Sequence, residues 1–251
     1  MYLNQFHAKI GSLFGELLIK FKDQGEYGFT NKNQRECKRI GYSTNITPEL
    51  IEQAYEKKID LMITHHDAWN FIYGMKDECV RRLKAYDIAH FFIHLPLDYA
   101  DFGTGQSLLN EIGQIQMIQG SYYLNGESRI GIGELLETIT FNELVTRLKL
   151  RCNEEVKAWN FGTQSIQRIG ILTGAGDGTK HVREALEAQC DVYITGEKTL
   201  YTIQYAEFSK INLIVGSHTF TEVFGVRSLA NKVRESFPEI EIVYIEEKHM
   251  E

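Results

Sequence analysis

Residues 59–66 read IDLMITHH, an unbroken apolar run that stops at two adjacent histidines. A continuous apolar run, rather than an alternating one, is the pattern of a strand covered on both faces, as in a parallel sheet. Upstream, CKRIGYST (residues 37–44) predicts a short strand. Thr47-Pro48-Glu49 then predicts a helix start, with Thr47 as N-cap and Pro48 at the first helical position, where its missing N–H costs nothing. Further upstream, LNQFHAKIGSLFGELL (residues 3–18) has helical apolar spacing, and residues 23–34 read as a polar loop.

The second half follows the same plan. IQRIGILT predicts a strand, GAGDG (residues 174–178) a Gly-rich turn and KHVREALEAQ a helix. DVYIT is the next strand, then comes a helix near 198–209, the strand NLIVG and a helix near 220–235. RIGIGEL and FNELVTRLKL predict a strand and a helix before this series. Alternating strands and helices predict an α/β fold with largely parallel strands.

Laid together, the halves repeat. Arg39-Ile40-Gly41 matches Arg168-Ile169-Gly170, and Asp60-x-x-Ile63-Thr64 matches Asp191-x-x-Ile194-Thr195. His94-x-x-x-Asp98 matches His218-x-x-x-Glu222. Matches in the same order predict a duplicated α/β half. The expected division is residues 1–125, carrying His65, His66, His94 and Asp98, and residues 126–251, carrying His218 and Glu222, with the halves interlaced toward the C-terminus.

Composition narrows the function. The net charge is −7, from 34 acidic and 27 basic residues, and no Lys/Arg cluster stands out, which disfavours nucleic acid as a partner. No apolar run approaches the length of a membrane span, and the opening residues lack a secretory apolar core. Cys37, Cys79, Cys152 and Cys190 are far apart without a CxxC pair, which fits reduced thiols in a cytoplasmic protein.

The chemistry gathers at predicted strand ends, where open α/β sheets place their ligands. His65-His66 follows one strand, His94 and Asp98 follow another, and His218 and Glu222 follow a third. Each has an ordinary structural alternative. The histidine pair would serve as hydrogen-bonded loop residues, Asp98 as the cap of the next helix, and Thr219-x-x-Glu222 as a capping box. Taken together, the four histidines and two carboxylates suit Zn, Mn or Fe. They are more donors than one tetrahedral ion needs, which points to two ions. GAGDG would cradle a phosphate or simply make a tight turn, and Glu197 would approach the site or stay a solvated loop carboxylate.

ITHHD, HLPLD, TGAGDG, YITGE and GSHTFTE, in that order, resemble the Nif-three-like dinuclear metal-centre family, whose members are called GTP cyclohydrolase homologues. The resemblance runs from about residue 35 to the C-terminus. It implies two divalent metal ions held between the halves by His65, His66, Asp98, His218 and Glu222, with His94 beside them as an acid/base or supporting group. It also implies a homohexamer. Two positions depart from the family pattern: Asp67 follows the histidine pair as an extra carboxylate that would reach the site, and Ser217 precedes His218. The expected activity is hydrolysis of a nucleotide or other phosphorylated small molecule by a metal-activated water. The alternative is a metal-dependent regulatory or scaffold protein with no turnover.

Overall fold

The computed structural model describes residues 1–251. The chain divides into two compact units, residues 1–102 with 226–248 and residues 103–225 with 249–251. The first unit therefore ends at Phe102 instead of residue 125, and the chain returns to it after residue 225.

The first unit opens with helix α1 (Leu3–Phe14), which buries Phe6, Ile10 and Phe14, followed by the short helix α2 (Glu16–Lys20). Strand β1 (Tyr27–Asn31) follows, then β2 (Arg39–Ser43), α3 (Pro48–Glu56), β3 (Leu61–Thr64), α4 (Met75–Ala85), β4 (Ala89–Ile93) and the short helix α5 (Leu95–Asp98). Thr47 caps α3 as expected, accepting the Leu50 N–H at 3.3 Å, with Pro48 in the first turn. All four residues of β3 are buried, which accounts for its unbroken apolar sequence.

The polar stretch 23–34, expected as a loop, contains an edge strand instead: β1 pairs antiparallel with β4, Tyr27 opposite Ile93. Its residues are all half-buried, so no apolar alternation marks it in the sequence. Leu95 begins the short helix α5, with Pro96 in its first turn.

The second unit begins with α6 (Thr104–Ile112) and the strands β5 (Ile115–Gln119), β6 (Tyr122–Leu124), β7 (Glu127–Arg129) and β8 (Gly131–Thr140). It continues through α7 (Phe141–Cys152), β9 (Lys157–Trp159), β10 (Ser165–Leu172), α8 (Thr179–Glu187), β11 (Val192–Thr195), α9 (Leu200–Ser209) and β12 (Asn212–Val215). The long helix α10 (His218–Ser236) starts in the second unit and ends in the first, where β13 (Glu241–Tyr244) follows.

The first sheet runs β1-β4-β3-β2-β13, parallel except for β1. The second runs β5-β8-β10-β11-β12-β9, with β10-β11-β12 parallel and antiparallel strands outside them. The repeated triplets are β2-β3-β4 and β10-β11-β12. In each, the repeated aspartate has one task. Asp60 accepts the N–H groups of Lys38 and Arg39 at 2.8 and 2.9 Å, and Asp191 accepts those of Gln167 and Arg168 at 2.8 Å. Each carboxylate thereby satisfies two backbone donors at the start of the first strand of its triplet, fixing the register against the second.

Leu50, Ile51, Ala54, Met62, Leu83 and Ile245 belong to the packed core of the first unit. The second has one core including Leu108, Leu144, Ile169 and Ile214 and another including Val182, Tyr193 and Leu213. The four cysteines are buried thiols. No helix is long and apolar enough to cross a membrane.

Candidate metal centre

In the first unit, β3 delivers His65 and His66 from its carboxyl end, and β4 delivers His94 from the neighbouring strand end. One ring nitrogen of each of these three histidines lies within 4.8 Å of the others. His65 is fully buried and His66 nearly so. Asp98, at the end of α5, places Oδ1 3.3 Å from His65 Nε2. The helix that Asp98 was expected to cap, α6, begins at Gly103 without a side-chain cap, so that alternative does not describe it.

In the second unit, the first turn of α10 carries His218 and Glu222, with Glu222 Oε2 3.3 Å from His218 Nε2. The capping-box alternative fails here as well. Ser217 takes the cap, its Oγ accepting the Phe220 N–H at 3.1 Å, and Glu222 lies 97% buried against His218. The departure at Ser217 is thus a helix-start residue.

One arrangement recurs at all four imidazoles: Nδ1 faces an oxygen acceptor. His65 Nδ1 donates to the Ile93 carbonyl at 2.9 Å and His66 Nδ1 to Asn45 Oδ1 at 2.8 Å. His94 Nδ1 donates to Glu26 at 2.6 Å and His218 Nδ1 to Glu197 at 2.5 Å. A proton fixed on Nδ1 makes Nε2 the donor atom, and such outer partners are the usual support of metal-ligating imidazoles. Glu197 is therefore the orienting partner of His218.

For His66 the reasoning extends one residue further. Asn45 gives its Nδ2–H to Glu247 at 2.9 Å, so its Oδ1 must be the atom turned to His66. Glu247 also accepts the backbone N–H groups of Thr44 and Asn45 at 2.6 and 3.0 Å. Burial raises the carboxyl of Glu247 above its ordinary range.

A buried relay supports the same turn from below. Thr64 donates its hydroxyl to the His66 carbonyl at 2.6 Å and must then accept from His90 Nε2 at 2.8 Å, which leaves His90 Nδ1 to accept from Thr30 at 2.5 Å. Burial lowers His90 to about 4, keeping the ring neutral. At His218 burial opposes the charged form, but the carboxylates of Glu222 and Glu197 outweigh it and raise the ring to about 9. Binding a cation there would release that proton.

GAGDG forms a turn whose glycines make room. Gly174 has φ +63°, and a Cβ on it would lie 2.0 Å from Glu222 Oε1. Gly196, the counterpart of His65 in the repeat, is equally confined: a Cβ would meet Thr221 Oγ1 at 2.8 Å and the Gly174 carbonyl at 2.9 Å. Asp67 does not extend the donor set. It holds Lys76 at 2.7 Å and the Ala68 N–H at 2.8 Å, bracing the turn after the histidine pair. Trp69 in that turn lies against the His66 ring at a centroid distance of 4.7 Å.

Imidazole nitrogens with fixed protons, beside the partly buried Asp98 or the buried Glu222, match the chemistry of a divalent transition ion. Parallel sheets with such donors at their strand ends define an α/β protein bearing a candidate metal centre. The chain belongs to the Duf34/NIF3 (NGG1p interacting factor 3) family, whose profile matches residues 17–250. Among its relatives is a GTP cyclohydrolase 1 type 2 homolog of Haemophilus influenzae, 29% identical, the match covering 84% of this chain and 85% of the relative. Another of the same name, from Yersinia pestis, is 24% identical over 90% of this chain and 91% of its own length. The structure of protein ybgI, of unknown function, shares the fold with a TM-score of 0.84 at 22% identity, covering 99% of both chains.

Asn45, Glu26, His90 and Glu247 were not singled out by sequence reasoning. Asn45 carried a usable signal, since it follows the end of β2 closely, as the histidine pair follows β3. Glu26 and Glu247 carried none, because their partners lie 68 and 202 residues away.

Proposed function

We propose that the chain binds two divalent ions (Zn, Mn or Fe) through His65, His66, Asp98, His218 and Glu222, and hydrolyses a nucleotide or other phosphorylated small molecule. The observation that carries this reading is the shared setting of the imidazoles, each with Nδ1 on an oxygen acceptor. Bound divalent ions supply Lewis acidity and make a coordinated water acidic near neutral pH. His94, half-exposed beside His65 and His66, takes and returns the proton. Glu222 and Asp98 offset the positive charge, and Trp69 screens one side of His66 from water. The GTP cyclohydrolase names of the relatives support a nucleotide substrate. A cytoplasmic homohexamer is part of the same reading.

Elemental analysis of protein purified without chelator or metal-binding tag tests it. About two equivalents of metal per chain, lost in His65→Ala and Glu222→Gln, would support the dinuclear centre. Protein that stays empty after reconstitution would overturn it.

A further inference from the structure

The edge strand β1 was invisible in the sequence, and its placement has a chemical result. Tyr27 pairs with Ile93 in the antiparallel register, so the residue before Tyr27 lies beside the residue after Ile93. These are Glu26 and His94. The His94 N–H donates to the Glu26 carbonyl at 2.8 Å, and His94 Nδ1 meets Glu26 Oε2 at 2.6 Å. Backbone and side chain of one residue therefore grip backbone and side chain of the other. Tyr27 secures the approach to this strand by donating its hydroxyl to the Leu18 carbonyl at 3.0 Å.

We infer that Glu26 is the positioning residue of His94, a role that rests on the proton-transfer function proposed above. Its carboxylate accepts the Nδ1 proton and stops the ring from turning. Nε2 then carries the lone pair and faces the neighbouring imidazoles, His65 and His66, at centroid distances of 4.9 and 5.3 Å. A histidine without such a partner can place its proton on either nitrogen, and only one tautomer can accept at Nε2. His65 and His66 rest on neutral acceptors, a carbonyl and an amide, whereas His94, like His218, rests on a carboxylate.

The test is two-bond 1H–15N correlation on zinc-loaded protein with 15N-labelled histidine rings, run with zinc analysis of the same samples. In the wild type, His94 should be protonated at Nδ1, with a slowly exchanging downfield proton. Glu26→Ala should lose that proton and shift His94 to protonation at Nε2. Glu26→Gln should restore Nδ1 protonation, because its amide oxygen still accepts. The zinc content should equal the wild-type value in both variants. His94 protonated at Nε2 in the wild type, or unchanged in Glu26→Ala, would overturn the inference. So would zinc coordinated by His94 Nε2, which would make that ring a ligand. Zinc-free protein that still shows the tautomer pattern would sink the metal centre while leaving the Glu26–His94 pair standing.

Discussion

Glu247 takes the Asn45 side-chain amide at 2.9 Å, and that contact settles which ring nitrogen of His66 keeps its proton. A carboxylate can only accept here, so the amide must turn its N–H to Glu247 and its oxygen to His66. His66 Nδ1 then donates, and Nε2 carries the lone pair. Asn45→Ala removes the link without disturbing β2 or β3. Metal affinity should fall by about 10–100-fold, the usual cost of losing such a partner. A competition titration against a chelator measures it; affinity equal to the wild type would leave Asn45 a purely structural residue.

Glu222 and Ser217 divide the two roles that a capping-box reading would have merged. Glu222→Gln should strip or halve the bound metal with the fold intact. Ser217→Ala should keep the metal and lower stability by about 1 kcal/mol, the typical cost of a lost N-cap. Elemental analysis beside chemical denaturation distinguishes them, and exchanged phenotypes would reverse the assignment.

His90 gives the fold an acid sensitivity. Burial lowers its folded-state pKa to about 4, below the ordinary value of 6.5, so the unfolded chain binds this proton more readily. The neutral ring therefore contributes its full stability above about 6.5, and that contribution drains away as the pH falls from there toward 4. The loss should reach roughly 3 kcal/mol at the acid end. His90→Gln keeps a donor and an acceptor for Thr64 and Thr30 without titrating. Its urea midpoints should vary less than those of the wild type between pH 6.5 and 4, and parallel curves would remove His90 as the source.

Gly174→Ala should be costly on two counts. The backbone at φ +63° disfavours any side chain by roughly 1–2 kcal/mol. The added methyl would also occupy the space of the Glu222 carboxylate, so metal should be lost along with stability. Circular dichroism melts paired with metal analysis would show both, whereas a fully loaded variant would mean that Glu222 can bind from another position.

The legible parts of the sequence were those governed by local rules. Ile63 and its neighbours announce a strand covered on both faces, Thr47-Pro48 announces a helix start, and Asp60 and Asp191 mark the repeat. The clustering of His65, His66 and Asp98 followed from the strand-end rule. What stayed hidden depends on pairing at a distance. Residues Tyr27–Asn31 form a strand because β4 offers an edge, with no apolar alternation of their own. Glu26, Asn45, His90 and Glu247 become meaningful only once the sheet has set their partners beside them. β13 likewise finds its place next to β2 by parallel pairing, far from its sequence neighbours.

Gly196 makes the two repeats unequal by volume alone. Where the first repeat carries His65, the second has no space for even a methyl group, with Thr221 and the Gly174 carbonyl closing the position. Transplanting the histidine pair onto the turn after β11 would wedge that turn open and add no ligand. The histidine pair of the first repeat therefore has no counterpart beside His218 and Glu222, and the inequality between the repeats is built into the backbone.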